Sequence, residues 1–341
     1  MSLTSGVIGL AERMPLPDIV IRTAIQQLCS RTAARLARAD TRGDACLARE
    51  MAARAIAEHT TVANAQHYEL PAAFFAHVLG PNRKYSSCFY RSGASTLQEA
   101  EEEALRQTVD HAGVADGQSI LELGCGWGSL SLWMAQRFPN SRIVAVSNSH
   151  SQRMHIQGEG AARGLTNLSV ITADMNEFDP ARQFDRIVSV EMFEHMMNWR
   201  ELLGRVRSWL VPQGRFFMHV FTHRTGAYLF DRNDKADWIA QHFFTGGVMP
   251  SHLLIRQYAD LFEVEKEWRW SGEHYQRTAR HWLANFDAHA TEIKAILRLV
   301  HGADTDLWMR RWRWFFLATS GLFGFSGGSE WGVSHYRLKA V

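Results

Sequence analysis

One stretch constrains this chain more than any other: Glu122-Leu123-Gly124-Cys125-Gly126-Trp127-Gly128. It ends the apolar run Ser119-Ile120-Leu121-Glu122-Leu123, which reads as a buried strand, and it precedes an apolar helix over residues 129–138. Glycines between a strand and a helix permit a tight turn and let a ligand come close to the backbone. Strand and helix signals then alternate. Residues 142–146, 168–172, 184–190 and 215–222 read as strands, and residues 152–163 and 200–210 as helices. The alternation predicts an α/β fold with a doubly wound, Rossmann-like sheet of parallel strands.

The flanking regions read differently. Residues 16–65 are rich in Ala, Arg, Leu and Glu and read as helices, with Gly43 as a break. A short helix over 72–79 stops at Gly80-Pro81, and residues 85–90 read as a polar, aromatic loop. The helix over 96–111 has Ser95 or Thr96 as its cap and acidic residues 99 and 101–103 at its positive end. Residues 231–326 read as a mostly helical, aromatic-rich insertion that caps the substrate, ahead of a last strand near 332–339. The expected division is a helical N-terminal extension and lid over 1–95 and a main domain over 96–341 that includes the insertion.

Composition narrows the function classes. With 46% hydrophobic and 21% charged residues, this is an ordinary globular chain, and a net charge of +2 gives no pull toward nucleic acid. Four cysteines lack metal-ligand spacing, so no metal is expected. With no leader or long apolar run, the expected location is cytoplasmic. The 12 Trp and 19 Phe mark either an aromatic pocket or a large core.

The glycine spacing is Gly-x-Gly-x-Gly, whereas a dinucleotide pyrophosphate suits Gly-x-Gly-x-x-Gly. Glu122 would repel a pyrophosphate but can hold an ammonium. Gly124, Gly126 and Glu122 therefore predict S-adenosyl-L-methionine (SAM) as the cofactor. The loop resembles motif I of class I methyltransferases. The wider chain resembles the cyclopropane fatty acid synthase and mycolic acid methyltransferase superfamily through His67-Tyr68-Glu69-Leu70-Pro71 with Phe74-Phe75, Tyr85-Ser86-Ser87-Cys88, Leu97-Gln98-Glu99-Ala100-Glu101 and Phe193-Glu194-His195-Met196. Within it, the chain looks most similar to the coclaurine N-methyltransferase branch. Val190-Glu191-Met192 before that last motif, Phe323-Gly324, Glu330-Trp331 and Val333-Ser334-His335 carry this likeness. The resemblance runs from about residue 68 to the end.

The resemblance implies further SAM contacts. Tyr85 and Ser86 would close over the ligand. No acid follows the second strand, so Asn148 and Gln152, near Ser147, would take the ribose. Asp174 would accept from the adenine amino group or serve as a turn, and Met175 would pack on the ring.

Glu191, Glu194 and His195 are the candidate catalytic residues. If a helix starts there, spacings of three and four place Glu191 beside the other two. Two carboxylates and an imidazole at a ligand edge suit proton transfer from an amine, with Glu191 or His195 as the base. The resemblance adds His219, Phe244, Tyr275, Phe323, Glu330 and Trp331 as substrate-binding residues. It implies N-methylation of a small aryl-alkyl amine, with a benzylisoquinoline as the analogy. The alternative is methyl transfer to unsaturated phospholipid chains, and only that reading brings in a membrane. The lipid enzymes use a bound bicarbonate as base. They have Cys where this chain has Ser87, Gly where it has Glu191, and a small aliphatic residue where it has Phe221. Assembly as a homodimer is left open.

Overall fold

Ile120, Leu121 and Leu123 leave β1 (Ser119–Leu123) no polar face to turn to water, so the strand must lie mid-sheet and be covered on both sides. The computed structural model describes residues 11–38, 43–58, 70–93, 95–231, 233 and 237–341; His67, Tyr68 and Glu69 of the first motif, and part of the expected helical stretch 16–65, lie outside them. The strands that follow β1 are β2 (Arg142–Ser147), β3 (Leu168–Thr172), β4 (Phe184–Val190) and β5 (Leu210–His223). After the short pair β6 (Tyr228–Leu229) and β7 (Val248–Met249) come β8 (Phe262–Ser271) and β9 (Trp331–Ala340). Among the described residues, seven of these strands form one sheet in the order β3-β2-β1-β4-β5-β9-β8. The first five pair in parallel, as expected, and β9 runs antiparallel to both β5 and β8.

Helices cover both faces. The N-terminal helices α1 (Asp18–Leu36), α2 (Gly43–Ala52) and α3 (Ala72–Val78) precede α4 (Leu97–Ala112) and α5 (Ser129–Arg137). Leu105 and Val109 of α4 and Leu130 and Met134 of α5 pack on Ile120, Ile143, Val188 and Phe217. The opposite face is covered by α7 (Trp199–Ser208), which follows α6 (His150–Ala162); its Leu202, Leu203 and Val206 pack on Leu121, Ile187 and Met218. Thr96 caps α4 with a capping box: its hydroxyl accepts from Glu99 N at 3.2 Å, and its own N–H donates to Glu99 Oε2 at 2.8 Å.

The insertion is less helical than expected. It holds the short α8 (Trp238–His242) and the helices α9 (Gly272–Ala288), α10 (Ala290–His301) and α11 (Thr305–Phe323), but also the ten-residue strand β8. The run Glu263-Val264-Glu265-Lys266-Glu267 has the charge of a surface helix, and that charge suits the exposed edge of a sheet equally well. The strand expected over 215–222 begins earlier, at Leu210, and Pro212-Gln213-Gly214 form an irregularity inside β5, between the pairings Phe184↔Leu210 and Arg186↔Arg215. Much of the aromatic content is core: Phe74, Phe75, Trp282, Phe286, Trp312 and Phe316 are all buried where α3, α9 and α11 meet. None of the described helices is long and apolar enough to cross a membrane.

Candidate active site

A cleft of about 1160 Å³, its open mouth included, lies at the carboxyl ends of β1, β2 and β4. All nine residues expected around SAM line it. Glu122, Gly124 and Gly126 come from β1 and its loop, Asn148 and Gln152 from beyond β2, Asp174 and Met175 from beyond β3, and Tyr85 and Ser86 from the segment before α4. Gly124 has φ 76°, and a Cβ there would lie 2.7 Å from the Met192 side chain. Gly126 has φ 52° and open space where its Cβ would be, so its backbone can be approached closely.

Particular buried polar atoms of this half, Gln152 Nε2 and Ser129 Oγ, lack partners among the described residues. Glu122 is 2% exposed, and its carboxylate accepts from the Ser131 hydroxyl. Burial outweighs that bond and pushes its pKa up to about 8. Gln152 accepts from Ser147 Oγ at 2.6 Å, while its Nε2, like Ser129 Oγ, is buried with no partner among the described residues. Asp174 Oδ1 accepts from Asn176 N at 2.8 Å, so the residue makes an Asx turn as well as facing the cleft. This donor set fits SAM: a carboxylate short of a cation, an amide short of an acceptor, and an open glycine backbone.

The other half is completed by the protein. The polypeptide turns sharply after β4, and only one 3-10 turn, Phe193–His195, follows. Glu191 lies before it with φ 48° and donates its N–H to His219 O at 2.8 Å. The shared helical face expected for Glu191, Glu194 and His195 does not form, because the backbone reverses at Glu191. The cluster is tertiary instead. Glu191 Oε1 accepts from Ser87 N at 2.9 Å and lies 3.1 Å from His219 Nε2, and Oε2 accepts from Tyr275 Oη at 2.8 Å. Thus Ser87, His219 and Tyr275, which come from three distant parts of the chain, converge on one carboxylate.

The two glutamates are set apart by their surroundings. Burial raises the pKa of Glu191, but Lys84, the Ser87 N–H, Tyr275 and His195 all oppose the rise. Glu194 is fully buried, accepts from Phe221 N at 2.7 Å, and has an Oε2 with no partner among the described residues. Burial and the neighbouring Glu191 push its pKa well above the carboxylate range. Neighbouring buried carboxylates of this kind hold a proton between them. Here the donors place the charge on Glu191 and the proton on Glu194. Burial holds His195 down at about 4 against the pull of Glu191, so its ring is neutral at pH 7.

Lys84 is a functional residue that no sequence pattern marks. It is 2% exposed, and its Nζ donates to Ser86 Oγ at 2.5 Å and to Ser87 O at 2.7 Å, fixing the strap that carries Tyr85. Nothing in the sequence shows that this lysine turns inward.

Glu191 and His195 line the cleft, whereas none of the six expected substrate-binding residues does. His219 and Tyr275 reach it through Glu191. The Phe244 ring lies 4.3 Å from that of His195, and Phe323 stacks on Tyr275 at 4.3 Å. Glu330 is bound by Arg224 at 2.9 Å, and Trp331 is fully buried against His223, so this pair sits apart from the cleft.

The fold and the cleft define a SAM-dependent methyltransferase. The chain belongs to the mycolic acid cyclopropane synthetase family, which matches residues 57–323. It is 36% identical over 289 residues to (S)-coclaurine N-methyltransferase of Thalictrum flavum subsp. glaucum, covering 83% of this chain and 80% of that one. It is 32% identical over 230 residues to the cyclopropane-fatty-acyl-phospholipid synthase of Escherichia coli (strain K12), covering 67% and 57%. The crystal structure of coclaurine N-methyltransferase bound to N-methylheliamine and S-adenosylhomocysteine superposes with a TM-score of 0.91 at 32% identity, covering 95% of this chain and 96% of that one.

Proposed function

We propose that this enzyme transfers the methyl group of SAM to the nitrogen of a small, alkaloid-like aryl-alkyl amine in the cytoplasm. The observation that carries the acceptor class is Glu191. Its carboxylate fills the position where Ser87, His219 and Tyr275 converge, so a base is built into the chain. The 36% identity to a coclaurine N-methyltransferase supports the same reading. Cys29, Cys46, Cys88 and Cys125 are all free thiols, which suits a reducing compartment.

SAM supplies an electrophilic methyl group on a sulfonium. Glu122 binds its ammonium, Gln152 and Asn148 take the ribose hydroxyls, and Asp174 takes the adenine amino group. An acceptor amine arrives mostly protonated and must lose that proton before its lone pair can attack. Glu191 takes the proton: its raised pKa makes it a stronger base than a free carboxylate, and its three donors hold the resulting geometry. Neutral His195 orients the nitrogen and Phe244 backs its ring. Placing the nitrogen in line with the methyl group supplies much of the acceleration.

The test is turnover of SAM with coclaurine and, separately, with dioleoyl phosphatidylcholine vesicles, with each product analysed by mass and NMR. One methyl gained on nitrogen is the expected result. A methylene inserted into the lipid alkene, with no amine product, would transfer the chain to the lipid branch.

A further inference from the structure

Four side chains run in a hydrogen-bonded line away from the cleft. Glu191 Oε1 lies 3.1 Å from His219 Nε2, His219 Nδ1 lies 2.9 Å from His335 Nε2, and His335 Nδ1 lies 2.8 Å from His111 Nδ1. His219 on β5 and His335 on β9 are directly opposed across the antiparallel pair and are fully buried. His111, in the last turn of α4, ends the line with a part-exposed ring stacked on Trp268 at 3.9 Å. Stability does not call for such a line, since a hydrogen-bonded buried pair can be replaced by apolar groups of the same shape at little cost.

We propose that His219, His335 and His111 form a proton relay that carries the acceptor's proton from Glu191 to solvent at the end of α4. This rests on the reading of Glu191 as the base. None of the three touches the acceptor; they act through Glu191 and are positioning residues for its proton.

A neutral imidazole has one N–H and one lone pair, so a line of them is satisfied in two ways. In the first, protonated Glu191 donates to His219, each ring donates outward to the next, and His111 Nε2–H points away from the line. In the second, Glu191 is a carboxylate and every ring donates inward. When each proton moves one contact outward, the O–H of Glu191 breaks, an N–H forms on His219 Nε2, and His111 Nε2–H is lost to water. The first arrangement thereby becomes the second, and one proton has left. Each ring then tautomerises, losing the proton on its inner nitrogen and gaining one on its outer nitrogen with no net change in protons, which restores the starting arrangement. Burial keeps His219 and His335 neutral, as the relay requires. The charges facing the line are Lys84 and Glu191 at its inner end, and Asp110 and Arg106 of α4 and Arg337 of β9 at its outer end. Burial, with Arg106 and Arg337, outweighs Asp110 and holds His111 at about 4, so a proton reaching it passes to water at neutral pH.

The experiment measures methylation of coclaurine at saturating SAM in weakly buffered solution, with and without added imidazole. In His111→Ala, kcat is expected to fall about tenfold with the coclaurine KM unchanged, and imidazole should restore it through the part-exposed vacancy. In His335→Gln a similar loss should resist imidazole, because that site is sealed. His111→Ala turnover equal to wild type, or a deficit that imidazole leaves untouched, would overturn the relay, and this variant decides the matter if His335→Gln does not fold. Glu191→Gln separates the two readings. Retained turnover there removes the base itself, while lost turnover beside an unaffected His111→Ala removes only the relay.

Discussion

The two halves of the cleft handle their buried carboxylates in opposite ways. On the cofactor side, Glu122 has one hydroxyl partner, Gln152 Nε2 and Ser129 Oγ have none among the described residues, and burial has pushed the carboxyl up. On the acceptor side, Glu191 is held by a backbone N–H, an imidazole and a phenol, with the buried ammonium of Lys84 nearby. The first half is electrostatically unfinished, and its ligand brings the missing charge. The second is finished by the protein, because its acceptor, once Glu191 has taken its proton, is a neutral amine and brings no charge at the moment of reaction. A site can thus be complementary to one ligand by omission and to the other by construction.

Four measurements would break or sharpen this contrast. Glu191→Gln should lower kcat about 10²–10³-fold while the SAM dissociation constant, measured calorimetrically, barely moves; an equal loss of SAM affinity would mean that the halves are one unit. Glu122→Gln should do the reverse, weakening SAM binding by about 2 kcal/mol, or roughly 30-fold, with kcat at saturating SAM nearly kept. Phe244→Ala should raise the acceptor KM about tenfold by removing the ring behind His195, and an unchanged KM would place the acceptor elsewhere. The smallest effect concerns pH. Folding raises the pKa of Glu122 from 4.5 to about 8, so the folded state holds that proton more tightly than the unfolded chain. Its contribution is greatest below pH 4.5 and is lost as pH rises to about 8. The ligand-free Tm should therefore fall by about 2 °C more between pH 6 and 9 in wild type than in Glu122→Gln. Saturating SAM should abolish the difference.

The same contrast decides what could be read in advance. That the cofactor-side residues meet in one cleft was legible because most of them lie at or just beyond a strand end: Glu122 and Gly124 at the end of β1, Gln152 after β2, Asp174 after β3. In a parallel sheet those ends meet at one edge whatever the packing, so local patterns suffice. The acceptor side depends on pairings that no local pattern encodes. Glu191 was visible as part of a motif, but its partners Ser87, His219 and Tyr275 meet it only through tertiary folding. His335 stood out as part of Val333-Ser334-His335, yet its place opposite His219 requires the β5–β9 register. The inward turn of Lys84 needs the strap, and β8 was hidden by charges that suit a sheet edge as well as a helix.

The positive φ of Glu191 has one more consequence. At 48° this position suits glycine, and the resemblance associates glycine there with enzymes that recruit bicarbonate as their base. The two solutions differ in whether the carboxylate is tethered. A tethered group has an effective concentration that no pool can alter, so dissolved carbon dioxide should have no influence on this enzyme's rate. Cutting the tether, as in Glu191→Gly, would leave the Ser87, His219 and Tyr275 donors around an empty, carboxylate-sized space, and would make turnover a saturable function of added formate or bicarbonate.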